Sequence, residues 1–290
     1  MKIGMVGLGR MGANMAERLR RHGHEVVGYD VSSDLADVTS LAELVAALDR
    51  PPRRVVWLMV PAGDATHATI QQLADLLDTG DLVVDGGNAN YRDSQRHADQ
   101  LAGRGIAFVD AGVSGGMWGL EAGYSIMAGG EEADIAHLRP VMDALVADGG
   151  FAHVGPTSAG HYVKMVHNGV EYALMQAYGE GYELLAASEL PIDVPATLQV
   201  WRHGSVVRSW LLDLLADAVA ADPELSGVRG YAEDSGEGRW AVQTAVDLVV
   251  PAPTIAGALF ARFASRQDDS PTMKAVAVLR DRFGGHGVRS

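Results

Sequence analysis

Short apolar runs and helical stretches alternate through the first half of the chain. KIGMVG (2–7), EVVGYD (25–30), RVVWLMV (54–60), LVVDGG (82–87), AFVDAGV (107–113) and YSIMAGG (124–130) have the length and apolar density of buried strands. Between them, MGANMAERLRRHG (11–23) and THATIQQLADLLD (66–78) repeat their apolar positions every three or four residues, as amphipathic helices do. That rhythm predicts a parallel sheet with helices on both faces. After VGPTSAG (154–160) the period-2 runs cease. Helical patterns broken by Gly and Pro follow over 160–188, 194–203, 206–220, 238–249, 253–267 and 271–283. The expected organisation is an α/β domain over 1–155 followed by an all-α domain over 156–290.

Composition narrows the chemistry. Of 290 residues, 48% are hydrophobic and 21% charged, ordinary for a globular chain that can bury a sizeable core. A net charge of −14 repels phosphate backbones, so no nucleic-acid partner is expected. With no cysteine, disulfides, thiolate nucleophiles and thiolate metal ligands are excluded. Neither HxH nor HExxH spacing is read along the chain, and no metal site is expected. No basic region leads into a long apolar run and no stretch nears 18 apolar residues, so neither a signal peptide nor a membrane span is expected. The default is a cytoplasmic protein.

Gly7-Leu8-Gly9-Arg10-Met11-Gly12 is a GxGxxG pattern between a candidate strand and a candidate helix. In that setting the first glycine allows a tight turn, the second lets a pyrophosphate approach the backbone, and the third lets helix and strand pack closely. The helix start supplies amide donors and a positive dipole end. Asp30 follows 18 residues after Gly12, where a carboxylate can accept hydrogen bonds from a ribose and would repel a 2′-phosphate. No Lys or Arg follows it in YDVSSD, so NAD is expected over NADP. Val60, Pro61 and Ala62 end the third candidate strand, either beside a nicotinamide or as plain loop. The α/β half therefore reads as a Rossmann-type dinucleotide-binding domain.

GHYVKMVHNGVEYALMQ (160–176) reads as one helix with a sparse, mixed polar stripe. At about 100° per residue, His167, Asn168, Glu171, Tyr172 and Met175 fall within about 80° of Lys164. Val163, Val166, Val170, Ala173, Leu174 and Ala177 share the other face, which is expected to face the core. Lys164 and Glu171 are two turns apart, beyond an ordinary i,i+4 pair. They are either separate surface charges or two groups facing a cleft. In a cleft, a partly desolvated amine can act as a base and a neighbouring carboxyl as an acid.

This stretch closely resembles the catalytic helix of 6-phosphogluconate dehydrogenases, with K-M-V-H-N-G-V-E-Y the discriminating part. IGMVGLGRMGANMA resembles that family's dinucleotide turn, VVDGGNANY (83–91) its GGN loop and DAGVSGGMWGLEAGYSIMAGG (110–130) its SGG substrate loop. GEGRW (236–240) and LFARFASR (259–266) resemble two motifs of its helical domain. The length is that of the short-chain, NAD-preferring branch.

The resemblance implies oxidative decarboxylation of 6-phosphogluconate, a phosphorylated sugar acid; the abundant apolar helix surface of the all-α half leads to the expectation of a homodimer or homotetramer. The resemblance makes Lys164 the general base and Glu171 the general acid. Asn88 would bridge substrate and cofactor, and Ser114, Gly115 and Gly116 would bind the carboxylate and hydroxyl end. His167 and Asn168 would contact substrate near the reacting carbons, Tyr172 its phosphate end, and Arg262 the phosphate itself. His286 would complete a partner's pocket. One departure stands out: Ser235 occupies the position of a phosphate-binding Lys in the long-chain members. Relatives acting on 3-hydroxyisobutyrate, tartronate semialdehyde or free gluconate are alternatives, as is a non-catalytic nucleotide sensor.

Overall fold

The computed structural model describes residues 1–50, 52–285 and 287. The chain divides into two compact units, Met1–Val166 and His167–Ser290.

The first unit runs β1 (Lys2–Val6), α1 (Arg10–Arg21), β2 (Glu25–Tyr29), α2 (Leu41–Ala47), β3 (Val55–Leu58), α3 (Asp64–Leu76), β4 (Leu82–Asp85), α4 (Tyr91–Ala102), β5 (Ala107–Ser114), a 3₁₀ turn (Gly116–Trp118), α5 (Gly119–Ala122), β6 (Tyr124–Gly129), α6 (Glu132–Leu145) and β7 (Val146–Gly155). The strands form one sheet in the order β2-β1-β3-β4-β5-β6-β7. Side chains alternate across it. Ile3, Met5, Trp57, Val84 and Val109 face α1 and α6, where Met15, Leu19, Leu138 and Met142 cover them. Val6, Val56, Leu58, Val83 and Phe108 face the opposite layer of Leu44, Ile70, Leu73 and Leu101. Strands β3 and β4 are buried at every position, which is why VVWL and LVVD read as continuous apolar runs rather than alternating ones.

Within the sheet, two features depart from the sequence reading. Strand β6 pairs antiparallel with β5. The link between them, residues 115–123, falls short of the roughly a dozen residues that a parallel crossover needs. Strand β7 was not expected. It pairs parallel with β6 through a shifted register, and its Asp148-Gly149-Gly150 interrupts any period-2 pattern.

Helix α7 (Ala159–Ala186) is continuous for 28 residues and crosses from one unit into the other. The second unit adds α8 (Val194–Trp201), α9 (Trp210–Ala221), α10 (Glu237–Asp247), α11 (Pro253–Ser265) and α12 (Pro271–Gly284). Helix starts follow local chemistry: Asp193, Ser209 and Ser270 each accept a hydrogen bond from an amide of the turn they cap. The Ser209 cap starts α9 later than the expected residue 206. The core of this unit is modest. Leu198, Leu212, Ala216 and Val219 form one cluster, and Tyr172, Ala258 and Leu259 another.

The expected core face of α7 is not the buried one. Val166, Val170 and Leu174 are exposed, whereas Asn168 and Tyr172 from the polar stripe are buried. Periodicity locates a stripe but not its cover, and here α10 and α11 lie over the polar side in the second unit. Among the described residues no helix is long and apolar enough to cross a membrane.

Candidate functional site

Strand β1 has β2 on one side and β3 on the other, so the chain changes direction of winding between β1 and β3. In open α/β sheets ligands bind at such a point, outside the carboxyl ends of the strands. The GxGxxG turn sits there. Gly7 has φ +92°, and a Cβ on it would lie 2.5 Å from the Met59 carbonyl oxygen. A Cβ on Gly12 would lie 1.9 Å from the Gly7 carbonyl oxygen, so turn and helix touch backbone to backbone. Gly9 differs: a Cβ there would meet nothing within 4 Å. Gly9 is the N-cap of α1 with no side-chain cap, and Arg10 beside it is exposed and Met11 half-buried. The open space at Gly9 and the uncapped helix start fit a pyrophosphate. NAD is thus accommodated by the residues present.

Asp30 lies just past β2 and braces the same turn. Its Oδ2 accepts from the Leu8 amide at 2.7 Å, and its Oδ1 from the Ser32 and Ser33 amides at 2.8 and 2.9 Å. Burial pushes this carboxyl up, but the amide and hydroxyl donors outweigh it and hold it below the usual aspartate range. It stays ionised and keeps lone-pair capacity for a hydroxyl donor.

Three loops line up beside the turn. Val60 is half-buried and Pro61 and Ala62 exposed, with the Pro61 carbonyl fixed by the Thr66 hydroxyl at 2.8 Å. The GGN loop lies against them: a Cβ on Gly87 would be 2.9 Å from the Val60 carbonyl oxygen, and Asn88 is exposed. At the end of β5, Ser114 and Gly115 are half-buried and Gly116 exposed. The residue after them, Met117, accepts from Asn14 of α1 through its carbonyl (3.4 Å) and from Arg10 through Sδ (3.6 Å). The first unit therefore gathers every expected cofactor residue, Asn88 and the SGG loop at one edge of its sheet.

The start of α7 is docked onto β5 by missing side chains. A Cβ on Gly112 would be 2.4 Å from Lys164 Cβ, and one on Gly160 would be 2.4 Å from the Asp110 carbonyl oxygen. The fully buried Asp110 carboxylate accepts from the Ser158 and His161 amides at 2.6 and 2.7 Å, satisfying helix-start donors. Burial pushes this carboxyl up, against the pull of His161 and those amides. Lys164 is half-buried at this junction. The sequence reading did not single out Asp110, although it lies in the quoted SGG stretch.

In the second unit, Asn168 donates from Nδ2 to Glu237 Oε1 at 2.8 Å and faces His167 Nδ1 with Oδ1 at 2.9 Å. Glu171 is half-buried, with Oε2 3.8 Å from His167 Nδ1. Tyr172 is buried, and its hydroxyl accepts from the Ser235 amide at 3.3 Å. The Arg262 guanidinium carbon lies 3.5 Å from the centre of the Tyr172 ring. Arg262 also donates to the Glu233 carbonyl at 3.0 Å and to Met175 Sδ at 3.4 Å. Those partners are all neutral, so its charge stays available to an anion. Arg239 and Arg266 behave oppositely, since both grip Asp234. Hydrogen bonds from Arg239 above all, and from Arg266, hold the Asp234 carboxyl down at about 2. His286 lies outside the described residues.

Glu237, buried and bonded to Asn168, was not singled out in the sequence. An acid in the first turn of a helix reads as an exposed dipole partner, and nothing in GEGRW signals that it is buried. The expectation that no HxH spacing occurs is corrected by His22-Gly23-His24. The pair is occupied by other contacts: His22 Nδ1 meets the Arg18 carbonyl at 2.8 Å, and His24 Nδ1 meets the terminal amine at 3.3 Å.

Two family profiles match the chain. One, described as the NAD binding domain of 6-phosphogluconate dehydrogenase, covers residues 2–155; the other, the 6-phosphogluconate dehydrogenase C-terminal domain, covers 160–283. A Haloferax volcanii protein named NAD(+)-dependent, decarboxylating 6-phosphogluconate dehydrogenase is 44% identical over 99% of this chain and 98% of its own length. A Bacillus subtilis protein of the same name is 34% identical over 91% of this chain and 61% of its own length. Among solved structures, Plasmodium falciparum 6-phosphogluconate dehydrogenase superposes with a TM-score of 0.81 at 26% identity, over 100% of this chain and 66% of that one. Mycobacterium tuberculosis 3-hydroxyisobutyrate dehydrogenase superposes at 0.75 with 24% identity over 96% and 99%, a likeness of fold alone.

Proposed function

The chain belongs to the 6-phosphogluconate dehydrogenase family, and from that premise we propose that it converts 6-phosphogluconate to ribulose 5-phosphate and CO2 with reduction of NAD. One observation carries the reading. A single unbroken helix holds Lys164, His167, Asn168, Glu171 and Tyr172, in a chain 44% identical end to end with a relative named for that reaction.

NAD, when bound, takes the hydride from C3 of the sugar acid. The turn from Gly7 to Gly12, with Leu8, Arg10 and Met11, would hold its pyrophosphate at the start of α1. Asp30 would accept from the adenosine ribose, and Val60, Pro61, Ala62 and Asn88 would border the nicotinamide. Lys164 in its neutral form removes the proton of the C3 hydroxyl. The β-keto acid then loses CO2, because its carbonyl receives the electron pair of the breaking carbon–carbon bond. Lys164, now protonated, donates to the enolate oxygen. Glu171 delivers a proton to C1 of the enediol while Lys164 takes back the hydroxyl proton, which leaves the ketone of ribulose 5-phosphate. Ser114 and the amides of Gly115 and Gly116 hold the carboxylate end. His167 and Asn168 hold hydroxyls near the reacting carbons. Arg262, backed by Tyr172, meets the phosphate, for which a guanidinium fork is suited.

The chain acts in the cytoplasm as a homodimer or homotetramer in this reading. The apolar side chains of the helical unit that its own chain leaves uncovered support self-association, among them Val170, Leu174, Leu279 and Phe283. The assay is direct. Purified protein given 6-phosphogluconate and NAD should yield reduced nicotinamide and CO2 in equal amounts, and Lys164→Met should abolish both. Oxidation without CO2, or faster turnover of 3-hydroxyisobutyrate or tartronate semialdehyde, would overturn the assignment.

A further inference from the structure

We propose that Glu237 is a positioning residue that fixes, through Asn168, which nitrogen of His167 carries the proton. The inference rests on the reading above, in which His167 meets a hydroxyl of the sugar acid.

Glu237 is the first residue of α10 and is only 3% exposed. It reaches α7 because Gly238 beside it packs on the Tyr172 ring, where a Cβ would lie 2.5 Å from Cε2. Asn168, 9% exposed, places Nδ2 at 2.8 Å from Glu237 Oε1. An amide has one donating and one accepting end, and an acceptor oxygen at Oε1 selects the donating end. Oδ1 of Asn168 must then face His167, as it does at 2.9 Å from Nδ1. Oδ1 can only accept, so Nδ1 carries the hydrogen. The nearest oxygen of Glu171, 3.8 Å from the same nitrogen, is also an acceptor and favours the same choice. The neutral ring is left with its lone pair on Nε2.

The consequence concerns substrate recognition. A lone pair on Nε2 accepts from a hydroxyl; a hydrogen there would favour a carbonyl or phosphate oxygen instead. If residue 237 could not accept, Asn168 could turn over, present its NH2 to Nδ1 and move the ring proton to Nε2. One buried carboxyl on α10 thereby sets the polarity of a group on α7. The contact lies in the ground state and persists through reaction, so its loss should appear in KM for the sugar acid rather than in kcat.

The test combines spectroscopy and kinetics. In ¹⁵N-labelled, ligand-free protein, long-range nitrogen–proton spectra of the imidazole, assigned by the signal lost in His167→Gln, should find His167 in the Nδ1–H form. Glu237→Met, similar in size but unable to accept in the same way, should convert a large share to Nε2–H. It should raise KM for 6-phosphogluconate about tenfold, the order of one hydrogen bond, while kcat and KM for NAD change by less than about twofold. In a His167→Ala background the same substitution should add nothing to KM. Glu237→Gln, which keeps an acceptor oxygen at the same reach, should restore both the tautomer and KM and guards against a folding defect. An Nε2–H wild type, an additive double mutant, or a Glu237→Gln as impaired as Glu237→Met would overturn the proposal. Failure of the wild type to turn over 6-phosphogluconate would sink the substrate reading instead, leaving the tautomer result to stand by itself.

Discussion

Glu171 and Arg262 face different demands, and their substitutions should separate accordingly. Glu171 is half-buried and in the proposed chemistry gives up one proton in one step. Glu171→Gln keeps its size but not its acidity, so kcat should fall roughly 10²–10⁴-fold with KM little changed. Steady-state turnover measures this, and a loss under about fivefold would remove Glu171 from the acid role. Arg262 keeps a ring, a carbonyl and a thioether for company, and its charge is uncompensated by them. Arg262→Ala should raise KM for 6-phosphogluconate about 10–100-fold, the range of a charged hydrogen bond. KM for unphosphorylated gluconate should hardly move, and that contrast is the measurement that matters. In the proposed reading, with Ser235 where the resemblance places a lysine, Arg262 would carry more of the phosphate interaction than it would beside a second cation.

The elements make their own predictions. Gly9→Ala places a methyl in open space, at a residue with φ −62°, so thermal stability should hold while KM for NAD rises. Gly12→Ala drives a Cβ into the Gly7 carbonyl and should lower Tm as well. Calorimetry beside NAD titration separates the two; equal loss of Tm in both would mean that the turn is merely structural. Asp234 ties the loop before α10 to Arg239 of that helix and Arg266 at the end of α11. Its folded pKa of about 2 is below the unfolded value of roughly 3.9, so its stabilisation is fully present above pH 4. It is lost as pH falls from about 4 toward 2. Asp234→Asn should therefore lower Tm at pH 7 and leave it nearly unchanged at pH 2. At this same scale the sequence is most legible. Each expected strand and helix is present, because strands β1 to β5 are dense apolar runs and the later helices carry Gly, Pro, Ser or Asp at their ends. Strand β7 was invisible because Asp148-Gly149-Gly150 breaks it, and the direction of β6 because a link's length matters more than its composition. The polar stripe of α7 is legible as one face of a continuous helix, though which of its side chains the fold buries is not. Its partners Glu237 and Asp110 did not declare themselves, since burial of an acid is decided by distant chain segments.

For the whole molecule the open question is what covers α12. None of its described residues is buried, and Met273, Val276, Leu279 and Phe283 form one apolar stripe, with Phe283 99% exposed. A 14-residue helix left bare in water is marginal, since helices shorter than about 12–15 residues rarely persist without packing. The proposed cover is a second copy of the chain. Charge opposes that association, because each copy brings −14 and two copies repel. Apolar contact must outweigh the repulsion, and screening by salt should help it. The dimer should thus tighten as ionic strength rises from low to physiological, opposite to an assembly held by complementary charges. Phe283→Asp both removes the largest exposed ring and adds to the repulsion. Light scattering should find it monomeric at concentrations where the parent is not, with a Tm that no longer rises with protein concentration. A Phe283→Asp protein that stays associated, or a parent whose assembly weakens with salt, would place the interface elsewhere.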